Sequence, residues 1–231
     1  MKISLTKYGM PQVVVFPLVI LLLMTAAVLP GSAFLPARVV IAIELVLLGL
    51  LAFIMAFFRD PRRIVPAGAN LILAPADGRI TDIETVSHPD IDGQVLRIGI
   101  FLSVFDVHIN RMPCAARVER TTYKKGMFKN AMFSNSAKVN ESNDILACQL
   151  GYPHDKMVIR QISGAIARRI VCFADDGQEF TGGQQFGMIK FGSRTELYLP
   201  QRTELVRCVE IGDKVRAGIT TLAKYEDGNN R

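Results

Sequence analysis

Little in this sequence is suited to holding a metal or a soluble cofactor. The four cysteines, Cys114, Cys148, Cys172 and Cys208, form no CxxC pair and show no metal-ligand spacing. They are expected as reduced thiols of a cytoplasmic domain, not as an extracellular disulfide framework. Of the three histidines, His88 and His154 stand in loop-like contexts, SHPD and YPHD. The absence of a GxSxG elbow argues against an α/β-hydrolase. Without a Walker loop or a GxGxxG run, phosphate-cradling nucleotide folds lose their signature too. No internal repeat or low-complexity tract is visible. Acidic residues are the minority, 21 against 27 basic, and the net charge of +6 favours anionic partners such as lipid headgroups or nucleic acid.

Apolar residues are abundant and concentrated at the N-terminus. Pro11 to Pro30 is almost wholly apolar, and Val39 to Phe58 is apolar except for Glu44. Each run is about as long as a helix needs to cross a hydrocarbon core of about 30 Å. The short link GSAFLPAR predicts an antiparallel two-helix transmembrane hairpin, and a second span so close behind the first argues against a cleaved signal peptide. Lys2 and Lys7 precede the first run, and Arg59, Arg62 and Arg63 follow the second, while the link has only Arg38. The charge bias places both ends on the cytoplasmic side of the cell membrane. Glu44 is expected near the first turns of its helix, where headgroup water tolerates a carboxylate. FFRDPRRIVP reads as a basic interfacial collar with Pro61 stopping the helix. The hairpin and collar are assigned to residues 1–63.

From about Asn70 the pattern changes to short alternating runs divided by turn residues: ADGRITDIETV, QVLRIGIFL, ARVERTTYKK, KMVIRQIS, FGMIKF, RTELYLP and LVRCVEI. A mainly β domain, sandwich-like or barrel-like, is expected over 64–231. GAIARRIVCF fits helix or strand equally.

Three places carry reactive groups. Asp77 precedes Gly78 in APADGRI, where a hairpin or tight turn is the simplest reading. His108 lies in an extended run, FDVHINRMP, where a structural role is the simplest reading. Ser193 follows Gly192 inside an alternating run, MIKFGSRTELYLP. Together they equip a serine to attack its own preceding carbonyl. Glycine leaves that carbonyl unobstructed and permits strained backbone, and a histidine or aspartate can take the hydroxyl proton. Two other readings stay open on these residues alone: a membrane-tethered β module that binds a partner protein, and a serine hydrolase using Ser193, His108 and Asp77.

The motifs FFRDPRR, APADGRI, FDVHINRMP, YKKGMF with KVNESN, RQISGAIARRIV and GMIKFGSRTELYLP, in that order, resemble the short bacterial and archaeal class of phosphatidylserine decarboxylase proenzymes. The resemblance implies self-cleavage between Gly192 and Ser193 into a β chain, 1–192, and an α chain, 193–231, which stay together as a heterodimer. Serine attack converts the amide to an ester. Elimination then leaves a dehydroalanine that hydrolyses to a pyruvoyl group at position 193. That group, with no metal and no pyridoxal phosphate, would form a Schiff base with phosphatidylserine and draw off electrons as CO₂ leaves, yielding phosphatidylethanolamine. The implied partners are phosphatidylserine in the bilayer and an anionic membrane surface, without nucleic acid. Asp77 matches an acid of the self-cleavage step, and His108 a histidine tied to the substrate carboxylate and to proton transfer. Longer enzymes of this kind have a second histidine where this chain has Arg111. Arg111 and Arg194 are candidate contacts for the lipid phosphate or carboxylate.

Overall fold

The computed structural model describes residues 4–29, 34–127, 139–164, 169–190 and 193–226. The chain separates into two compact units, Met1–Pro61 and Arg62–Arg231.

In the first unit, helix α1 spans Gln12–Val28 and helix α2 spans Ala37–Phe57. Their almost wholly apolar sequences leave no polar face to meet water, and large side chains such as Leu18, Leu22, Leu45 and Val46 stay exposed. With 21 residues, α2 is long and apolar enough to cross a membrane; α1 is a shorter apolar helix of 17 residues with Pro17 inside it. The two helices pack on each other. Ile54 and Phe57 in the last turn of α2 are buried together with Phe58 and Tyr8, and the rings of Phe57 and Phe58 meet edge to face at 5.0 Å. Glu44 lies two turns into α2, and among the described residues its buried Oε1 has no hydrogen-bond partner.

The second unit is mainly β, in three antiparallel sheets. The largest has eight strands in the order β13-β2-β3-β11-β7-β6-β5-β9. Here β2 is Gly78–His88, β3 Ile91–Leu102, β5 Ala116–Lys124, β6 Ser142–Gln149, β7 Lys156–Ile162, β9 Glu179–Phe180, β11 Ser193–Pro200 and β13 Lys214–Val215. The second sheet joins β1 (Leu71–Leu73), β14 (Thr221–Tyr225) and β12 (Leu205–Arg207). The third joins β4 (Ile109–Arg111), β10 (Gln185–Ile189) and β8 (Ile170–Cys172).

Period-two alternation places the core. Leu197 and Leu199 of β11, Ile98, Ile100 and Leu102 of β3, Met157 and Ile159 of β7, and Ile145 and Ala147 of β6 form one buried cluster. Full burial of each large aliphatic side chain contributes roughly 1.5–3 kcal/mol. The alternate residues of the same strands lie on the opposite face, where Val95, Val158, Leu146 and Tyr198 make a second, smaller cluster.

The expected strands are present, with three differences. SNDILACQ, which its mixed polar and apolar residues hide, forms β6 in the middle of the large sheet. The ambiguous GAIARRIVCF contributes strand at Ile170–Cys172, while 165–168 lie outside the described residues. Asp77-Gly78 is not a hairpin. Gly78 opens β2 at φ 146°, and a Cβ there would collide with the Phe101 carbonyl of β3, so glycine is required by close strand approach.

Candidate active site

Ser193 is the first residue of β11 and pairs with Leu102 of β3. It is completely buried, and among the described residues its Oγ has no hydrogen-bond partner. Leaving a buried hydroxyl unbonded costs on the order of 1–3 kcal/mol. Two residues on, Thr195 Oγ1 accepts a hydrogen bond from Asn110 Nδ2 at 3.1 Å. Asn110 Oδ1 accepts from Gln161 Nε2 at 2.9 Å, and Gln161 Oε1 accepts from Asn143 Nδ2 at 3.2 Å. This buried amide chain ties β4 to β11, β7 and β6.

His108 immediately precedes β4 and is wholly buried. Its carbonyl accepts from the Ile189 N–H at 3.2 Å, at the end of β10 that leads toward Ser193. Nδ1 lies 2.9 Å from the Asp106 carbonyl, which can only accept. The neutral ring therefore carries its proton on Nδ1, and Nε2 is its basic nitrogen.

Asp77 is held by two donors. Oδ1 accepts from the Ala217 N–H at 2.8 Å and Oδ2 from Arg63 Nη2 at 2.7 Å. Arg63 closes the ring by donating to the Ala217 carbonyl at 2.9 Å. Arg63 was expected to be a collar residue facing headgroups; its side chain is instead 4% exposed and committed to Asp77. Its arginine-rich surroundings, FFRDPRR, concealed that role.

Strand register gathers these segments. Arg79, Phe101 and Arg194 form one row across β2, β3 and β11. Ser193 and Leu102 lie one step beyond that row, Asp77 lies two residues before Arg79, and His108 follows Leu102 across one turn. The Pro75 carbonyl accepts from the Arg111 N–H at 2.9 Å, which draws the Asp77 segment and β4 together. Gly192 lies outside the described residues, so the Gly192–Ser193 bond does too.

The two candidate substrate arginines differ. Arg111 is buried and donates from Nη1 to the Gly183 carbonyl at 3.0 Å. Arg194 is wholly buried in a charge network: Nη2 reaches both Asp82 oxygens at 2.7 and 2.6 Å, Nε reaches Glu196 at 2.8 Å, and Nη1 reaches Thr81 Oγ1 at 2.7 Å. Burial opposes the charge on Asp82, but the hydrogen bonds and charge of Arg194 outweigh it and hold the carboxyl below its ordinary range. Lys190, three residues before Ser193, is also buried, and its ammonium pKa is lowered first by desolvation and then by Arg169. All four cysteines are free thiols, and burial, with a smaller contribution from Cys148, pushes Cys114 up to about 12.

Comparison with known proteins places these observations in a family. Residues 50–223 match the family model described as phosphatidylserine decarboxylase. A phosphatidylserine decarboxylase proenzyme of Rhodopirellula baltica is 42% identical over 230 residues, covering 98% of this chain and 90% of that protein. A proenzyme of the same name from Gluconacetobacter diazotrophicus is 44% identical, covering 74% of this chain and 76% of its own. One from Burkholderia mallei is 42% identical over 77% of this chain and 81% of its own. By the family model and by these relatives, the chain belongs to the phosphatidylserine decarboxylase family.

Proposed function

We propose that this chain is the proenzyme of a decarboxylase that converts phosphatidylserine to phosphatidylethanolamine, and that it activates itself at Gly192–Ser193. Family membership supports the reaction. The observation that carries the self-activation is the Ser193 hydroxyl, buried without a bonding partner among the described residues. Such a hydroxyl is at hand to react with its own backbone, with no hydrogen bond to break first. A serine hydrolase needs its nucleophile open to an outside substrate, and the burial of Ser193 speaks against that reading.

In the proposed sequence, Ser193 Oγ adds to the Gly192 carbonyl carbon while its proton passes to a base. The C–N bond then breaks, and the amide becomes an ester with a free α-amine. His108 Nε2 is assigned as the base, with its tautomer set by the Asp106 carbonyl. Asp77, clamped by Arg63 and Ala217, is assigned as the acid that fixes this end of the sheet during cleavage. Loss of the Ser193 α-proton with elimination of the Gly192 carboxylate cuts the chain and leaves a dehydroalanine at residue 193, and one water hydrolyses its imine tautomer to a pyruvoyl group with release of ammonia. Once formed, that group supplies a carbonyl electron sink for loss of CO₂. The enclosed head of β11 fits a group of this size, since Ser193 itself already occupies the position. Arg111 remains the assigned contact for the substrate phosphate or carboxylate. Arg194 is reassigned to the scaffold because its guanidinium is engaged by Asp82, Glu196 and Thr81.

We further assign α1 and α2 to a two-span hairpin in the cell membrane with the catalytic unit on the cytoplasmic side. The length of α2 and the excess of Lys2, Lys7, Arg59 and Arg62 over Arg38 support this assignment. The substrate gives it a purpose, because withdrawing acyl tails from a bilayer costs about 0.8 kcal/mol per CH₂.

The decisive experiment is the intact mass of purified protein, followed by CO₂ release from phosphatidylserine vesicles. Two fragments with a blocked N-terminus at residue 193, together with CO₂, are expected. A single unbroken chain bearing an ordinary serine there refutes the proposal.

A further inference from the structure

Phe105 sits at the tip of the turn that separates Leu102, the strand partner of Ser193, from His108. The residue is 74% exposed, although both ends of the turn are buried. The turn is closed on itself: the Asp106 N–H donates to the Ser103 carbonyl at 3.0 Å, and the Ser103 N–H to Asp106 Oδ2 at 2.8 Å. On the Asp77 side, Ile64 is 93% exposed beside Arg63. Exposed cations accompany the two apolar residues. Arg62 adjoins Arg63, Arg216 precedes Ala217, and Lys214 pairs with Arg79 at the edge of β2. Asp106, the acid next to Phe105 in sequence, is tied back into the turn.

A lone exposed phenylalanine is ordinary. Here a second exposed apolar side chain, Ile64, adjoins the Arg63 clamp on Asp77, and exposed Arg62, Arg216 and Lys214 stand in the segments that build the same end of the sheet. Aromatic rings at headgroup depth with basic neighbours are how proteins engage a bilayer interface. We propose that Phe105, with Ile64, inserts into the surface of an anionic bilayer and seats the catalytic unit on it. The inference rests on the decarboxylase reading for its motive but can be measured apart from it. A seated site would take a headgroup from the bilayer while the acyl tails remain in lipid.

The chain contains no tryptophan, so Phe105→Trp installs a unique reporter. The full-length variant, reconstituted into phosphatidylcholine–phosphatidylglycerol vesicles containing brominated phosphatidylcholine, should show blue-shifted and strongly quenched tryptophan emission. Phe173→Trp, which replaces another exposed phenylalanine following β8, should be quenched far less. Phe105→Glu should complete self-cleavage and turn over a dispersed short-chain phosphatidylserine normally. On vesicle substrate it should lose about 10-fold or more in rate. Equal quenching at positions 105 and 173, or no quenching at 105, overturns the proposal. So does an equal loss of Phe105→Glu activity on both substrates. A blue shift without bromolipid quenching assigns the tip to a protein partner, which also overturns it. If the wild-type chain is uncut and releases no CO₂ from either substrate, the decarboxylase reading fails instead, and the quenching result stands on its own.

Discussion

Ser193 and Arg194 are neighbours in sequence and opposites in environment. Both are completely buried, but they point to different faces of β11. On the core face Ser193 Oγ has no partner among the described residues. On the other face Arg194 joins Asp82, Glu196 and Thr81. Nearby, Tyr198 donates to Glu196 at 2.6 Å, Arg97 reaches Glu84 at 2.8 Å, and Arg160 grips Asp144 through two bonds of 2.6 Å. One face is laced with ion pairs, although Arg97 Nε is left without a hydrogen-bond partner among the described residues, and the other carries the unbonded Ser193 Oγ where the core meets the sheet's end. The contrast teaches that burial alone does not mark function: a saturated polar group holds a fold together, whereas an unsatisfied one is available for chemistry.

That contrast can be broken by substitution. Ser193→Ala should abolish both self-cleavage and decarboxylation while leaving thermal stability unchanged or raised, as read by fragment analysis, CO₂ release and thermal melting. Two fragments from this variant would end the assignment. Arg194→Met should cost about 3–5 kcal/mol, because Asp82 and Glu196 are left buried without their cation. Urea unfolding measures this, and normal stability with lost activity would move Arg194 from the scaffold into the site. Gly99→Ala should cost about 1–3 kcal/mol in the same assay, since a Cβ at Gly99 would collide with the Arg194 guanidinium.

Acid should act on the ion-paired face. The Asp82 carboxyl is held below its ordinary value of 3.8, so the unfolded chain takes up its proton at higher pH than the native one. Its contribution is present above 3.8 and is lost as pH falls through the lower native value. Asp82→Asn should therefore flatten the acid limb of the stability profile. The smallest effect concerns the thiols. Cys208 is exposed, whereas Cys114 is buried with its pKa raised to about 12, so alkylation of native protein near pH 8 should label Cys208 and spare Cys114.

Much of this architecture could be read from the sequence. Strict alternation announced β2, β3, β7 and β11, because each has one face in a dry core. It failed for β6, whose Ser142, Asn143 and Asp144 are polar yet lie mid-sheet, since Asn143 is buried against Gln161 and Asp144 binds Arg160 of the neighbouring strand, partners that no local pattern shows. Ser193, His108 and Asp77 were visible through the motifs around them. The partners were not. Arg63 looked like one more cation beside a membrane segment, and Arg194 looked like a headgroup ligand. Only strand register, which sets Arg194 across from Phe101 and Ile162, reveals that its side chain is walled in.

The position of β11 between β3 and β7 carries a mechanical consequence. All eight of its residues are registered against β3, and five of them against β7 as well. A cut just ahead of Ser193 would spare every rung of both ladders, so the severed piece would remain the keel of the larger one. Activation could proceed without any loosening of the body around it, and only wholesale denaturation should part the halves.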